Sequence, residues 1–150
     1  MQKLVKNKTQ YMHHITIKTN PKHTLVDRIK TLSYETTEVV TNYKVEIAAI
    51  EDIFVHTNAR GALLLGQARG ALISSLVTQN IPVVELTALQ IKKAITGYGR
   101  ATKEQVNFMV QKELNIKIGM NEADASDALG CAITLCYSKG LLKEHLPLKI

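Results

Sequence analysis

Two short runs, EIAAI at residues 46–50 and IPVVEL at 81–86, constrain this chain more than any other feature. Each is apolar with little alternation and only five or six residues long. That pattern suits a strand covered on both faces, as in a parallel sheet. Between them, residues 59–79 are rich in alanine and leucine, with Gly61, Gly66 and Gly70 four to five apart. The spacing predicts a long helix whose small residues let another helix approach closely. Strand, helix, strand in that order points to an α/β class.

The flanking segments fit the same class. Leu25, Ile29, Leu32, Thr36, Val39 and Val40 recur at helical spacing across Thr24–Tyr43, with Thr24 as N-cap and Asp27 three residues on. Thr87 opens a helix, ALQIKKAITG, that stops at Gly97. Residues 102–114 form another, with Thr102 and Gln105 placed as a capping box. The last long helix begins near Asn121-Glu122, runs through Ser138 and ends at Gly140. Alternation of His14, Thr16 and Lys18 with Ile15 and Ile17 predicts a half-buried strand over Tyr11–Thr19, closed by a turn at Asn20-Pro21. No repeat, low-complexity tract or linker divides the chain, so residues 1–150 are expected to form a single domain, with 1–14 an incomplete N-terminal hairpin and 141–150 a loosely docked tail.

With 45% apolar and 21% charged residues among 150, the chain has material for a packed core. The formal net charge of +6 favours a polyanionic partner, nucleic acid first. A solvated basic surface accounts for the charge equally well. No stretch reaches the roughly 18 apolar residues of a membrane helix. The start, MQKLVKNKTQYMHH, has lysines but no apolar segment of the secretory kind, so no membrane role is expected. Cys131 and Cys136 are read as small buried residues in a reducing cytosol.

Three carboxylates draw notice by position. Glu51 directly follows the first apolar run, and functional groups in open α/β sheets collect at the carboxyl ends of strands. Asp124 and Asp127 are three apart on the last helix and share a face set among small apolar residues, ADASDALGCAIT. Two like charges there call for a compensating cation, and Mg²⁺ takes such oxygen ligands. The plainer reading is that both acids complement the helix dipole and Glu51 is a solvated strand end. Glu122 belongs with the helix N-terminus, and Asn121 and Ser126 are polar neighbours. His13 and His14, adjacent on the expected strand, would point to opposite faces and so are read as surface residues rather than a metal pair.

Lys92, Lys93, Arg100 and Lys103 fall within twelve residues around the loop Thr-Gly-Tyr-Gly-Arg. Glycines and nearby helix N-terminal amides would suit phosphates. An ordinary solvated loop is the commoner case. Phe54, three residues after Glu51, can stack on an unpaired base if exposed or fill the core if not.

Three segments in order resemble the RuvC-type family of Holliday-junction resolvases. They are AIEDIFVHTNARGALLLGQARGA, LTALQIKKAITGYGRATKEQVNFMV and EADASDALGCAIT, spanning with their surroundings residues 15–138. The resemblance implies an RNase H-like fold, with a mixed sheet flanked by helices. It implies a homodimer that binds four-way junction DNA and nicks two strands symmetrically, using two Mg²⁺ per subunit (Mn²⁺ as a substitute) about 3.5–4 Å apart. A branch-migration helicase complex is a further partner, and the cytoplasm the location. By motif, Glu51 is the central catalytic carboxylate, Asp124 the first acid of the C-terminal helix, and Asp127 the fourth position. Phe54 matches an aromatic that engages bases, Lys92 and Lys103 match residues on the DNA backbone, and the 59–79 helix matches the dimer-forming region.

The family's opening strand, which ends in a Gly-Ile-Asp-Pro-Gly-like turn with the first catalytic aspartate, has no counterpart here. QKLVKNKTQ looks like the end of the second strand and YMHHITIKT like the third. The expectation is that Met1 is an internal methionine of a longer reading frame. A second reading is a catalytically impaired four-way-junction-binding protein. A third is an RNase H-like protein acting on RNA.

Overall fold

The computed structural model describes residues 9–52, 58–119 and 122–142. Its chain gathers into two compact units, one of Thr16–Ala88 and one of Met1–Ile15 with Leu89–Ile150.

The first unit contains helix α1 (Leu25–Asn42), strand β1 (Ala48–Glu51), helix α2 (Ala59–Val77) and strand β2 (Val83–Leu86). Thr24 caps α1. Its hydroxyl accepts from the Asp27 amide at 3.2 Å and donates to the Asp27 carboxylate at 2.6 Å. α1 ends with Lys44 in the left-handed region (φ 50), as Val45 N–H reaches back to the Val40 carbonyl at 3.0 Å. Asn80 (φ 59) closes α2 in the same manner, with Ile81 N–H bonded to the Leu76 carbonyl. Those two turns bring Val40, Leu76 and Ile81 into one buried cluster, against which Val45, Ala48 and Val83 pack.

β1 and β2 run parallel, with Ala48 opposite Val83 and Glu51 opposite Leu86. Asp52 N–H extends the ladder by one bond to the Leu86 carbonyl at 2.8 Å. Contrary to the expectation of a strand covered on both faces, all four residues of β1 are only partly buried. Its one strand neighbour among the described residues is β2.

Helices α3 (Ala88–Thr96), α4 (Lys103–Leu114) and α5 (Ala123–Leu142) build the second unit, where α4 packs against α5. Val110 and Ile133 are its most deeply buried side chains, joined by Ile91, Ile95, Val106, Leu129 and Leu135. Gly130 lets α5 sit close: a Cβ there would lie 3.4 Å from Ile91 Cγ2 and 3.6 Å from Val110 Cγ2. Gly97, at φ +77, ends α3 as expected. The α4 capping box is complete, with Gln105 N–H on the Thr102 hydroxyl and Thr102 N–H on the Gln105 amide oxygen.

Four further expectations fail. Residues 9–20 form no strand. A strand exists only through a ladder partner, and alternation alone does not supply one. With no strand there, the His13 and His14 rings do not point apart: they stack with centroids 6.4 Å apart, and His14 Nδ1 pairs with the Tyr11 hydroxyl at 2.8 Å. Cys131 is buried but Cys136 is exposed. Five residues turn a helix by about 140° beyond a full turn, which carries the second cysteine off the buried face. α5 also continues past Gly140 to Leu142.

Candidate active site

β1 delivers Glu51 as its last residue, half-buried, at the carboxyl end of the parallel pair. The same strand end is fixed from α2 by Arg69. Arg69 Nε donates to the Glu51 carbonyl at 3.4 Å, while its Nη2 pairs with Glu85 of β2 and stands 3.7 Å from Asp52 Oδ1. The guanidinium side chain is 19% exposed. Alternation along a strand puts Asp52 and Glu85, a register partner of Ile50, on one face and the Glu51 side chain on the other. Arg69 was missed in the sequence because its spacing from Glu51 has no period. The sole signal available was its place inside LGQARG.

The first turns of α5 carry Asp124, exposed, and Asp127, partly buried, three apart on one face. Asp127 Oδ2 accepts from Lys103 Nζ at 2.9 Å. Lys103 is the first residue of α4, so the capping box that starts α4 also sets where this ammonium stands. Ser126, between the two acids, turns inward: it is 2% exposed and its hydroxyl bonds Asn107 Oδ1 of α4 at 3.1 Å. Glu122 serves the helix start, its carboxylate accepting from the Gly119 amide at 3.0 Å.

The basic residues are spread along α3, the α3–α4 loop and α4. Lys92 is half-buried, and Lys93, Arg100 and Lys103 are exposed. The loop between them is held by Thr96, whose hydroxyl accepts from the Tyr98 amide at 3.1 Å. Beside it, Tyr98 and Phe108 are exposed aromatics lining a shallow cup with Ala101, Glu104 and Met109. The Glu104 carboxyl is held below its usual range, first by a bond to its own backbone amide and then by the Thr102 hydroxyl. Phe54 lies outside the described residues.

Carboxylates are hard oxygen donors of the kind Mg²⁺ takes; Glu51 lies in the first unit, and Asp124 and Asp127 in the second. Among the described residues, no group of three or more His, Cys, Asp or Glu is gathered into a metal-holding cluster. The pair that shares a face is Asp124 and Asp127. No helix among the described residues is long and apolar enough to cross a membrane.

Known proteins bear on these features directly. The family model described as crossover junction endodeoxyribonuclease RuvC matches residues 2–135. The RuvC of Ralstonia pickettii (strain 12J) is 49% identical over 134 residues, covering 89% of this chain and 72% of that protein. The RuvC of Dechloromonas aromatica (strain RCB) is 52% identical over 117 residues, 78% of this chain and 65% of that protein. Among solved structures, Thermus thermophilus RuvC superposes with a TM-score of 0.79 at 28% identity, covering 87% of this chain and 78% of that one. The same organism's RuvC in complex with a Holliday junction substrate superposes with a TM-score of 0.80 at 28% identity, over 85% of this chain and 78% of that one. The α/β fold is thus of the RNase H-like class, and the chain belongs to the RuvC family of crossover junction endodeoxyribonucleases.

Proposed function

We propose that this chain is a structure-selective DNA endonuclease that resolves four-way junctions by symmetric, metal-dependent nicking during recombination and repair. The observation that carries this reading is the match to RuvC across residues 2–135, together with the superposition on a RuvC bound to a Holliday junction. A solved neighbour that spans 87% of the chain also supports treating residues 1–150 as one resolvase domain.

Glu51, Asp124 and Asp127 are the residues that would hold two Mg²⁺ per subunit, or Mn²⁺ in their place. When bound, the ions supply electrostatic stabilisation of charge developing at the scissile phosphate. The chain's own groups do the rest. The end of β1 and the first turns of α5 fix the carboxylates on regular elements. Lys92, Lys93, Arg100 and Lys103 bind backbone phosphates and hold the strand in register, and Phe54 stacks on a base at the junction.

A second copy of the chain is the expected partner, since symmetric nicking needs two sites. Leu63, Gly66, Gly70 and Val77 lie on one stripe of α2 and all are exposed; Leu63 is 63% exposed. A Cβ placed at Gly66 or Gly70 would meet nothing within 4 Å among the described residues, leaving room for a close helix. A branch-migration helicase complex would act upstream, and the cytoplasm follows as the location of such DNA.

A synthetic four-way junction incubated with Mg²⁺ tests this reading. Paired nicks are expected, and Glu51→Gln should lower the rate by at least ~100-fold, the loss of roughly 3 kcal/mol of charge stabilisation, with binding nearly intact. Binding without any nicking would instead assign a junction-binding role.

A further inference from the structure

A catalytic Glu51 at the end of β1 must be aimed by something that holds that strand end. The answer lies on the opposite face of β1. Arg69 Nε donates to the carbonyl of Glu51 itself, and the other end of the same guanidinium pairs with Glu85 and approaches Asp52. One side chain from α2 therefore ties down the last peptide of β1, its continuation at Asp52, and β2. Both neighbouring acids that could compete with Glu51 for a cation are engaged by this one guanidinium. The Asp52 ladder bond to Leu86 closes the arrangement at 2.8 Å.

We propose that Arg69 is a positioning residue for the nuclease reaction: it fixes the Glu51 backbone and engages Asp52 and Glu85 on the opposite face of the strand pair, so that the direction of the Glu51 carboxylate is set. This rests on the reading of Glu51 as a metal-holding carboxylate. The geometry uses what distinguishes arginine. A planar fork can serve a carbonyl through Nε and a carboxylate through Nη2 at once, whereas a lysine ammonium is a single point of charge. The guanidinium bonds the Glu51 backbone and not its carboxylate, so its effect on the reaction runs through the placement of Glu51.

The test compares Arg69→Gln and Arg69→Lys with Glu51→Gln, using the full chain, a four-way junction and Mn²⁺ alone as the metal probe. For Arg69→Gln, the single-turnover nicking rate at saturating junction should fall about 10- to 100-fold, the cost of a displacement on the order of 1 Å at a catalytic group. Junction affinity should change less than about twofold, because Arg69 is not on the phosphate-binding elements. Mn²⁺ affinity, read by calorimetry without DNA, should weaken by at least about threefold. Arg69→Lys should keep the fold yet recover only part of both losses, and it carries the test if Arg69→Gln does not fold. A folded variant with parental rate and parental Mn²⁺ affinity overturns the proposal, as does an equal loss of rate and junction affinity, which a general structural defect produces. Parental nicking in Glu51→Gln would instead refute the underlying assignment of Glu51, so the two failures are distinct.

Discussion

Lys103 Nζ stands 2.9 Å from Asp127 Oδ2, joining the first residue of α4 to the start of α5. Both side chains remain substantially exposed, 61% for the lysine and 36% for the aspartate. A pair so open to water contributes under about 1 kcal/mol to folding. Its consequence is local: the ammonium is held beside the helix face that carries Asp124 and Asp127, the face proposed above to meet a phosphate. Lys103→Gln should therefore shift the melting temperature by no more than ~4 °C. In a salt titration of junction binding, the same variant should reduce the slope of log affinity against log salt by about 1, the signature of one lost phosphate contact. A slope identical to that of the parent would show that Lys103 serves Asp127 alone.

Gly130 offers a prediction whose sign is decided by distance. It lies in the interior of α5, where glycine costs about 1 kcal/mol relative to alanine. The added methyl of Gly130→Ala would sit at ordinary contact distance, 3.4 Å from Ile91 Cγ2 and 3.6 Å from Val110 Cγ2. The propensity gain should win, and the melting temperature should rise by roughly 2–4 °C. Gly130→Val adds two further carbons against Ile91 and Val110 and should lose about 1–3 kcal/mol by overpacking. A thermal or denaturant melt of the two variants checks both signs; destabilisation by alanine would mean that Ile91 has no room to yield.

What could be read in the sequence depended on how local the cause was. Thr102 and Gln105 cap α4 through bonds spanning three residues, so their types and spacing sufficed. Gly97 ended α3 by its own backbone freedom. The parallel pairing of β1 and β2 was legible because two apolar runs flanked one helix. The strand expected at Tyr11–Thr19 was not, because a strand is made by its neighbour and no residue pattern guarantees one. Cys136 is exposed because five residues of helix carry it off the buried face that holds Cys131. In the candidate site, the acids stood out by type and by their position at element ends. The groups that hold them did not: Arg69 converges on residues of β1 and β2 from α2, and Lys103 meets Asp127 across two helices. Such contacts are set by packing, which the one-dimensional pattern does not encode.

The polar cluster between α4 and α5 separates two kinds of loss. Asn107 Oδ1 accepts from the Ser126 hydroxyl at 3.1 Å and from Gln111 Nε2 at 3.1 Å, while Gln111 Oε1 accepts from the Ile118 amide at 2.9 Å. Ser126 is 2% exposed and lies between the two acids of α5. Ser126→Ala removes one donor and leaves Asn107 still bonded to Gln111, so the cost should be about 1 kcal/mol. Asn107→Ala strands the Ser126 hydroxyl in the interior and frees the Gln111 amide, and should cost more, about 2–3 kcal/mol. Denaturant unfolding of both variants and of the double variant measures the coupling. Because Ser126 and Asn107 are in contact, the double variant should be less destabilised than the sum of the singles, by at least about 0.5 kcal/mol. Strict additivity would mean that the hydroxyl and the amide stabilise the helix pair independently, and that α5 takes its setting beside α4 from apolar packing alone.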